Sequence, residues 1–257
     1  LTVNAQPALL AASIAAQRAL EALLDGSTSR YGPPSFFAGH SMGQYSAMVA
    51  AGVVSLADAV RLVRERGRLM QASSGDGAMA AIIGLPDEKN DELLAVGAAE
   101  GIITLANRNS PGQTVISGER AAVEAAAAAA KGLGARRGKV LPVSVAAHSP
   151  LMAQAAEGMR QAIADVTFST PAAPLLANAD AILLSDGEAC RDELIDHLTR
   201  GVDWVTAVET MVAAGTDTFI EVGPGKVLTG LVRRIDKEAT TVAVDDITTE
   251  SGLVLPA

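Results

Sequence analysis

Ala and Leu dominate residues 6–24, which predicts a first helix. The run GSTSRYGPPS then breaks the pattern as a Gly/Ser/Pro-rich loop. A short apolar segment, Phe36-Phe37-Ala38, ends at Gly39, and residues 42–51 are again compatible with a helix. The expected order is strand, sharp turn, helix, with Ser41 at the turn. Another helix is expected over 56–70, and its arginines at positions 61, 64, 66 and 68 cannot all share one face.

The rhythm changes near Ala78. AMAAIIGL reads as a strand, DEKNDELLAVGAAE as a helix, and GIITLANRN and QTVISG as two strands joined at Pro111-Gly112. An Ala-rich helix over 118–134 ends at glycine, and RRGKVLPVS reads as a further strand. The order βαββαβ predicts a ferredoxin-like subdomain over residues 77–144. Beyond it, helices are expected over 150–164, near 190–198, near 202–214 and over 226–234. Short strands are expected in TPAAPLLANAD and TDTFIEVGPG. Strands alternating with helices argue an α/β fold with a mostly parallel sheet, over residues 1–76 and 145–257, into which the ferredoxin-like unit is inserted.

Composition agrees with a buried core: 49% of the 257 residues are hydrophobic and only 3% aromatic, so Ala, Val, Leu and Ile must fill it. No apolar run is long enough to span a bilayer and the first residues lack a basic signal region, so a cytoplasmic protein without membrane attachment is expected. The net charge of −9 disfavours nucleic acid as a partner. Cys190 is the single cysteine and allows no internal disulfide. There is no metal-ligand cluster, phosphate loop or nucleotide fingerprint, so no cofactor and no metal are expected.

Chemistry concentrates at Gly39-His40-Ser41-Met42-Gly43, which fits G-x-S-x-G. A serine at a tight strand-to-helix turn projects its oxygen above the strand end. The flanking glycines let neighbouring backbone pass, and the Met42 backbone N–H points at negative charge developing on a substrate oxygen. The bland alternative is a glycine-rich turn around a buried serine. Serine needs a base, and the chain has three histidines. His40 adjoins Ser41 and suits a pocket wall. His197 lies in the helix-like DELIDHLTR. His148, in PVSVAAHSPLM, follows a strand and precedes a helix, where α/β folds gather reactive groups, so elimination favours it.

Six segments recur together in order: NAQPALLAAS, AGHSMGQYSAMVAAGVVSLADAVRLVRERGRLMQ, GAMAAIIGL, NSPGQTVISG, VSVAAHSPLM and EVGPGKVLTGLVRRI. Over residues 4–235 the chain resembles the malonyl-CoA:acyl carrier protein transacylases. The resemblance implies an α/β-hydrolase-like domain with a ferredoxin-like insert. It implies transfer of a malonyl group from coenzyme A to acyl carrier protein through an acyl-serine, in fatty acid or polyketide synthesis. Ser41 matches the nucleophile and His148 the base, and a backbone carbonyl at His197 would orient the imidazole. Arg66, 25 residues after Ser41, matches the arginine that binds the malonyl carboxylate. A planar guanidinium can meet both carboxylate oxygens at once.

The sequence also departs from the family. A first strand and a GQGSQ-like loop carrying a second oxyanion donor have no counterpart before Leu1, so a longer intact protein is expected, monomeric or one part of that longer chain. Ala147 precedes His148 where many malonyl-selective relatives carry an aromatic, which leaves room in the pocket for a branched acyl group such as methylmalonyl. Gln44 replaces the usual glutamate. Competing readings are a serine hydrolase, patatin-like with Asp186-Gly187 as its Asp-Gly pair or an esterase, and an inactive carrier-binding fragment. A carrier protein is acidic, so Arg136, Arg137, Lys139, Arg233 and Arg234 are candidate landing residues.

Overall fold

The structure, a computed structural model, describes residues 2–25, 33–73, 75–246, 248–249 and 252–253. Most of the expected Gly/Ser/Pro-rich loop, residues 26–32, lies outside the described residues. Along the chain run α1 (Thr2–Asp25), α2 (Gly43–Ala50), α3 (Leu56–Ala72), β1 (Gly77–Ile83), α4 (Asn90–Ala98), β2 (Ile103–Ser110), β3 (Gln113–Glu119), α5 (Arg120–Ala129) and β4 (Arg137–Val140). Then follow α6 (Ala153–Ile163), β5 (Leu175–Leu176), β6 (Leu183–Leu184), α7 (Gly187–Asp196), β7 (Val202–Asp203), α8 (Trp204–Ala213), β8 (Thr218–Glu221), α9 (Val227–Ile235) and β9 (Thr240–Ala243).

The helices form where local signals favour them. Ser55 caps α3, its hydroxyl accepting the Asp58 N–H at 3.0 Å. Asp186 caps α7 through the Ala189 N–H at 2.9 Å, and Asp203 caps α8 through the Thr206 N–H at 3.0 Å. On α3, Ala59, Leu62, Val63, Arg66 and Met70 all turn inward, while Arg61, Arg64 and Arg68 face solvent. One arginine of the four therefore shares the buried apolar stripe.

Residues 77–140 build an antiparallel sheet in the order β4-β1-β3-β2, with α4 and α5 packed on it. That strand order with βαββαβ connectivity is ferredoxin-like. The alanine run explains how closely the layers approach. Ala122, Ala126 and Ala127 on α5 and Ala130 just after it are buried, and a Cβ added at Gly138 of β4 would lie 2.4 Å from the Ala127 carbonyl oxygen. A second core joins α2, α3, α6 and α7, and a third forms around α8 and α9.

The α/β class is as expected, but parallel pairing is limited to short stretches: β2 with β7, β8 with β9, and one bridge between Phe37 and Leu175. The strand expected over 36–38 is that single bridge, where the Phe37 N–H donates to the Pro174 carbonyl at 2.8 Å. Pro174 has no N–H to continue the ladder, which helps keep the pairing short. β5 turns back on β6 as an antiparallel pair.

Candidate active site

Ser41 stands between the Phe37 bridge and α2 with φ +54°, a left-handed conformation that a non-glycine residue adopts only when its surroundings hold it. Of the two flanking glycines only one is sterically required. A Cβ at Gly39 would lie 2.2 Å from the Gly43 carbonyl carbon, whereas a Cβ at Gly43 would meet nothing within 4 Å. The expectation that both glycines relieve clashes is therefore corrected for Gly43. The Met42 N–H has no acceptor among the described residues, while the next three N–H groups close the first turn onto His40, Ser41 and Met42 carbonyls.

The structure brings Ser41, His148 and Arg66 together. Ser41 Oγ lies 2.7 Å from His148 Nε2, and Arg66 Nη2 donates to the same oxygen at 3.1 Å. His148 Nδ1 lies 2.6 Å from the His197 carbonyl oxygen and 3.1 Å from that of Arg200. Two carbonyls can only accept, so Nδ1 carries the proton and Nε2 is free to take one from the serine hydroxyl. His148 also has φ +58°, so both partners of this pair sit in strained backbone. Burial, aided by the positive charge of Arg66, pushes the His148 imidazole down to about 3, so it is neutral at neutral pH.

Arg66 is 2% exposed, and among the described residues no carboxylate pairs with it. Its Nη1 donates to Gln6 Oε1 at 2.9 Å, and its Nε has no partner among the described residues. Burial lowers the guanidinium pKa, an effect partly offset by Tyr45. A desolvated cation without a counter-ion is costly to hold, and an entering anion relieves that cost. His40 stacks tilted against Trp204 with ring centroids 5.8 Å apart, and its Nε2 lies 2.8 Å from Asn109 Oδ1. Ala147 is partly buried beside His148. Gln44 is fully buried and donates to the Leu176 carbonyl at 2.8 Å, a bond that an ionised glutamate could not make.

The other sequence candidates fall elsewhere. Asp186 is the exposed cap of α7 and Ser41 bonds to His148 instead, which removes the ground for a patatin-like Ser–Asp pair. The His197 ring is fully buried as a packing histidine, with Nδ1 2.9 Å from the Glu193 carbonyl oxygen, and only its backbone carbonyl reaches His148. Cys190 is buried, and burial pushes its thiol up to about 12, which leaves it unreactive.

Residues 1–250 match the model of the acyl transferase domain family. The malonyl CoA-acyl carrier protein transacylase of Escherichia coli (strain K12) is 45% identical over 247 residues, covering 95% of this chain and 78% of that protein. The chain belongs to the malonyl-CoA:acyl carrier protein transacylase family. Within this transacylase family, the crystal structure of the acyl-carrier-protein S-malonyltransferase from Bartonella henselae superposes with a TM-score of 0.90 at 44% identity, covering 98% of this chain and 79% of that one. A structure described as a type II polyketide synthase acyl carrier protein in complex with its malonyl-transacylase matches at 42% identity and a TM-score of 0.88, covering 95% of this chain and 78% of that one.

Several residues of this transacylase site escape sequence reasoning. Gln6 had a usable signal, since it shares the buried stripe of α1 with Leu10 and Ile14, at spacings of four. Asn109, Asn178 and the Arg200 carbonyl had none, because they reach the site from segments far apart in the chain.

Proposed function

We propose that this protein transfers a malonyl group from coenzyme A to the phosphopantetheine thiol of acyl carrier protein, by way of a malonyl-Ser41 ester. The observation that carries the reading is the buried guanidinium of Arg66, without a counter-ion among the described residues and 3.1 Å from the hydroxyl that the His148 imidazole addresses. A malonyl thioester supplies what both groups lack: a carbonyl carbon for Ser41 and, two carbons further on, a carboxylate for Arg66.

In the first half-reaction His148 Nε2 takes the Ser41 proton as Oγ bonds to the thioester carbon. The carbonyl oxygen becomes an oxyanion, for which the Met42 N–H is the available donor. The His197 and Arg200 carbonyls stabilise the imidazolium through Nδ1–H. When the tetrahedral adduct collapses, the carbon–sulfur bond breaks, and coenzyme A leaves as a thiol with the proton that His148 returns. The second half-reaction reverses the roles. The carrier's thiol gives its proton to His148 and attacks the ester, and Ser41 leaves as a hydroxyl. Arg66 holds the carboxylate in both halves, which disfavours acetyl groups because they leave the guanidinium unpaired. Ala147 beside His148 is the candidate determinant of tolerance for a methyl branch, and His40 is a wall of the same pocket.

The same reading takes residues 1–76 and 145–257 as the catalytic unit and 77–144 as the ferredoxin-like one. The reaction uses a coenzyme A thioester as substrate and calls for no cofactor or metal. Among the described residues no helix is long and apolar enough to cross a membrane; a cytoplasmic location is our expectation. Carrier docking is supported by geometry on the rim. Arg234 Nη1 donates to Gln113 Oε1 at 2.5 Å, and Gln113 pairs with Ser110, the neighbour of the Asn109 that holds His40. Arg137 pairs with Ile83, itself opposite Gln113, so exposed arginines from two segments lie near the same strand ends. Arg233 turns instead toward Thr241.

The decisive experiment is single-turnover loading with malonyl-, methylmalonyl- and acetyl-CoA, read by intact mass. A malonyl adduct that is absent in Ser41→Ala is expected. Equal loading by acetyl-CoA, or rapid hydrolysis without transfer to carrier, would point to a general esterase.

A further inference from the structure

Asn178, two residues past β5 and 4% exposed, spends both ends of its side chain on the serine turn. Its Oδ1 accepts the Ser41 N–H at 2.8 Å, and its Nδ2 donates to the Gly39 carbonyl at 3.0 Å. Its backbone is held as firmly. The Asn178 N–H donates to Glu193 Oε1 at 2.8 Å, and its carbonyl accepts the Asp203 N–H at 2.7 Å.

The pattern has a structural meaning. On a parallel strand, one residue donates to a neighbour's carbonyl and accepts the N–H two residues further on. The Asn178 amide makes that same pair with residues 39 and 41, spanning His40. Backbone pairing along this segment amounts to the Phe37–Leu175 bridge, so a side chain continues the ladder that the backbone leaves off. It does so at Ser41, whose φ of +54° needs an external hold. Glu193, which fixes Asn178, lies on α7, and the residue just after that helix supplies the His197 carbonyl that orients His148. Nucleophile and base are thus referenced to one helix.

We propose that Asn178 is a positioning residue whose side-chain amide holds the Gly39–Ser41 turn in the conformation that aims Ser41 Oγ at His148. The proposal rests on the reading of Ser41 as the acylated nucleophile.

The test measures single-turnover malonylation of Ser41 from malonyl-CoA in the full chain, with Asn178→Ala and Asn178→Asp beside the wild type, across pH. Two hydrogen bonds are removed in Asn178→Ala, so its acylation rate per folded molecule falls about 30-fold. Its KM for malonyl-CoA stays within about twofold, because the Arg66 clamp is untouched. In Asn178→Asp, an ionised carboxylate still accepts the Ser41 N–H but repels the Gly39 carbonyl, whereas the protonated acid donates to it. Burial beside Glu193 raises the pKa of the new carboxyl. The Asp variant therefore regains rate as pH falls, and the Ala variant does not. Glu193, pushed up to about 7 chiefly by burial, changes charge in the same range, and the Ala variant, which keeps it, is the control. An Ala variant within about twofold of the wild-type rate, or Asp and Ala variants with the same pH profile, overturns the proposal. If Asn178→Ala does not fold, the pH profile of Asn178→Asp against wild type decides. Failure of the wild type to take up malonate at all would instead defeat the assignment of Ser41, and the positioning role with it.

Discussion

The guanidinium of Arg66 donates to the hydroxyl of Ser41 across 3.1 Å, from a buried position in which no carboxylate among the described residues neutralises it. The arginine and the nucleophile lie 25 residues apart, on α3 and on the turn before α2. On the function proposed above, their contact is what selects an acyl group that ends in an anion.

Arg66→Ala should therefore lower malonyl loading by about 100-fold or more, since each charge-assisted hydrogen bond contributes roughly 1.5–3 kcal/mol. Acetyl loading should fall much less, so the ratio of the two kcat/KM values is the measurement. Arg66→Lys keeps the charge but loses the fork, and should recover only part of the preference. An unchanged malonyl-to-acetyl ratio in Arg66→Ala would remove the arginine from substrate recognition.

Acid should affect this protein in a specific way. His148, His40 and His197 are all lowered by burial, so between their folded values and the ordinary 6.5 the unfolded chain binds more protons. Stability then rises with pH through that window and is lost as pH falls toward about 3 for His148. Glu193 acts oppositely: raised from 4.5 to about 7, it contributes stability below 4.5 that is lost as pH rises through 7. Urea midpoints against pH should show a shallower acid loss in His148→Gln and no loss between these two values from this carboxyl in Glu193→Gln. The loading rate of the wild type should show no inflection at 6.5, the ordinary imidazole value, because His148 is already neutral there.

The two elbow glycines should respond differently to alanine. Gly39→Ala drives a Cβ to 2.2 Å from the Gly43 backbone, so the turn must open and loading should be abolished, with a lower melting temperature. Gly43→Ala meets open space at the start of α2 and should melt at or above the wild-type temperature, since alanine is favoured over glycine in a helix by about 1 kcal/mol. Thermal melts alongside loading assays separate the two.

Charge reversal on the rim should split the two half-reactions. Arg234→Glu is expected to weaken transfer to carrier several-fold, increasingly at low salt, while loading from coenzyme A changes little. Arg233→Glu should have the smaller effect on transfer, because its guanidinium faces Thr241 rather than Gln113. Equal losses in both half-reactions would place Arg234 outside carrier docking.

The chain's own pattern determined the order of the helices, the ferredoxin-like insert and the serine turn, but not the short strands β6, β7 and β9. These features rest on local spacing and on glycine and proline chemistry, which the sequence displays directly. Ser41 was legible because its strain is written in the adjoining glycines, and Arg66 was marked only by the family resemblance, which places an arginine 25 residues after the serine. Tertiary structure alone decided that Arg66 turns inward while its three neighbours stay wet, that His148 adopts positive φ, and that a short ladder replaces the expected strand before Ser41. It alone revealed Asn109 and Asn178, whose partners are 69 and 137 residues away. A hydrogen bond between distant segments leaves no periodicity, because its two ends are brought together by burial of the apolar surface around them and not by the residues beside them.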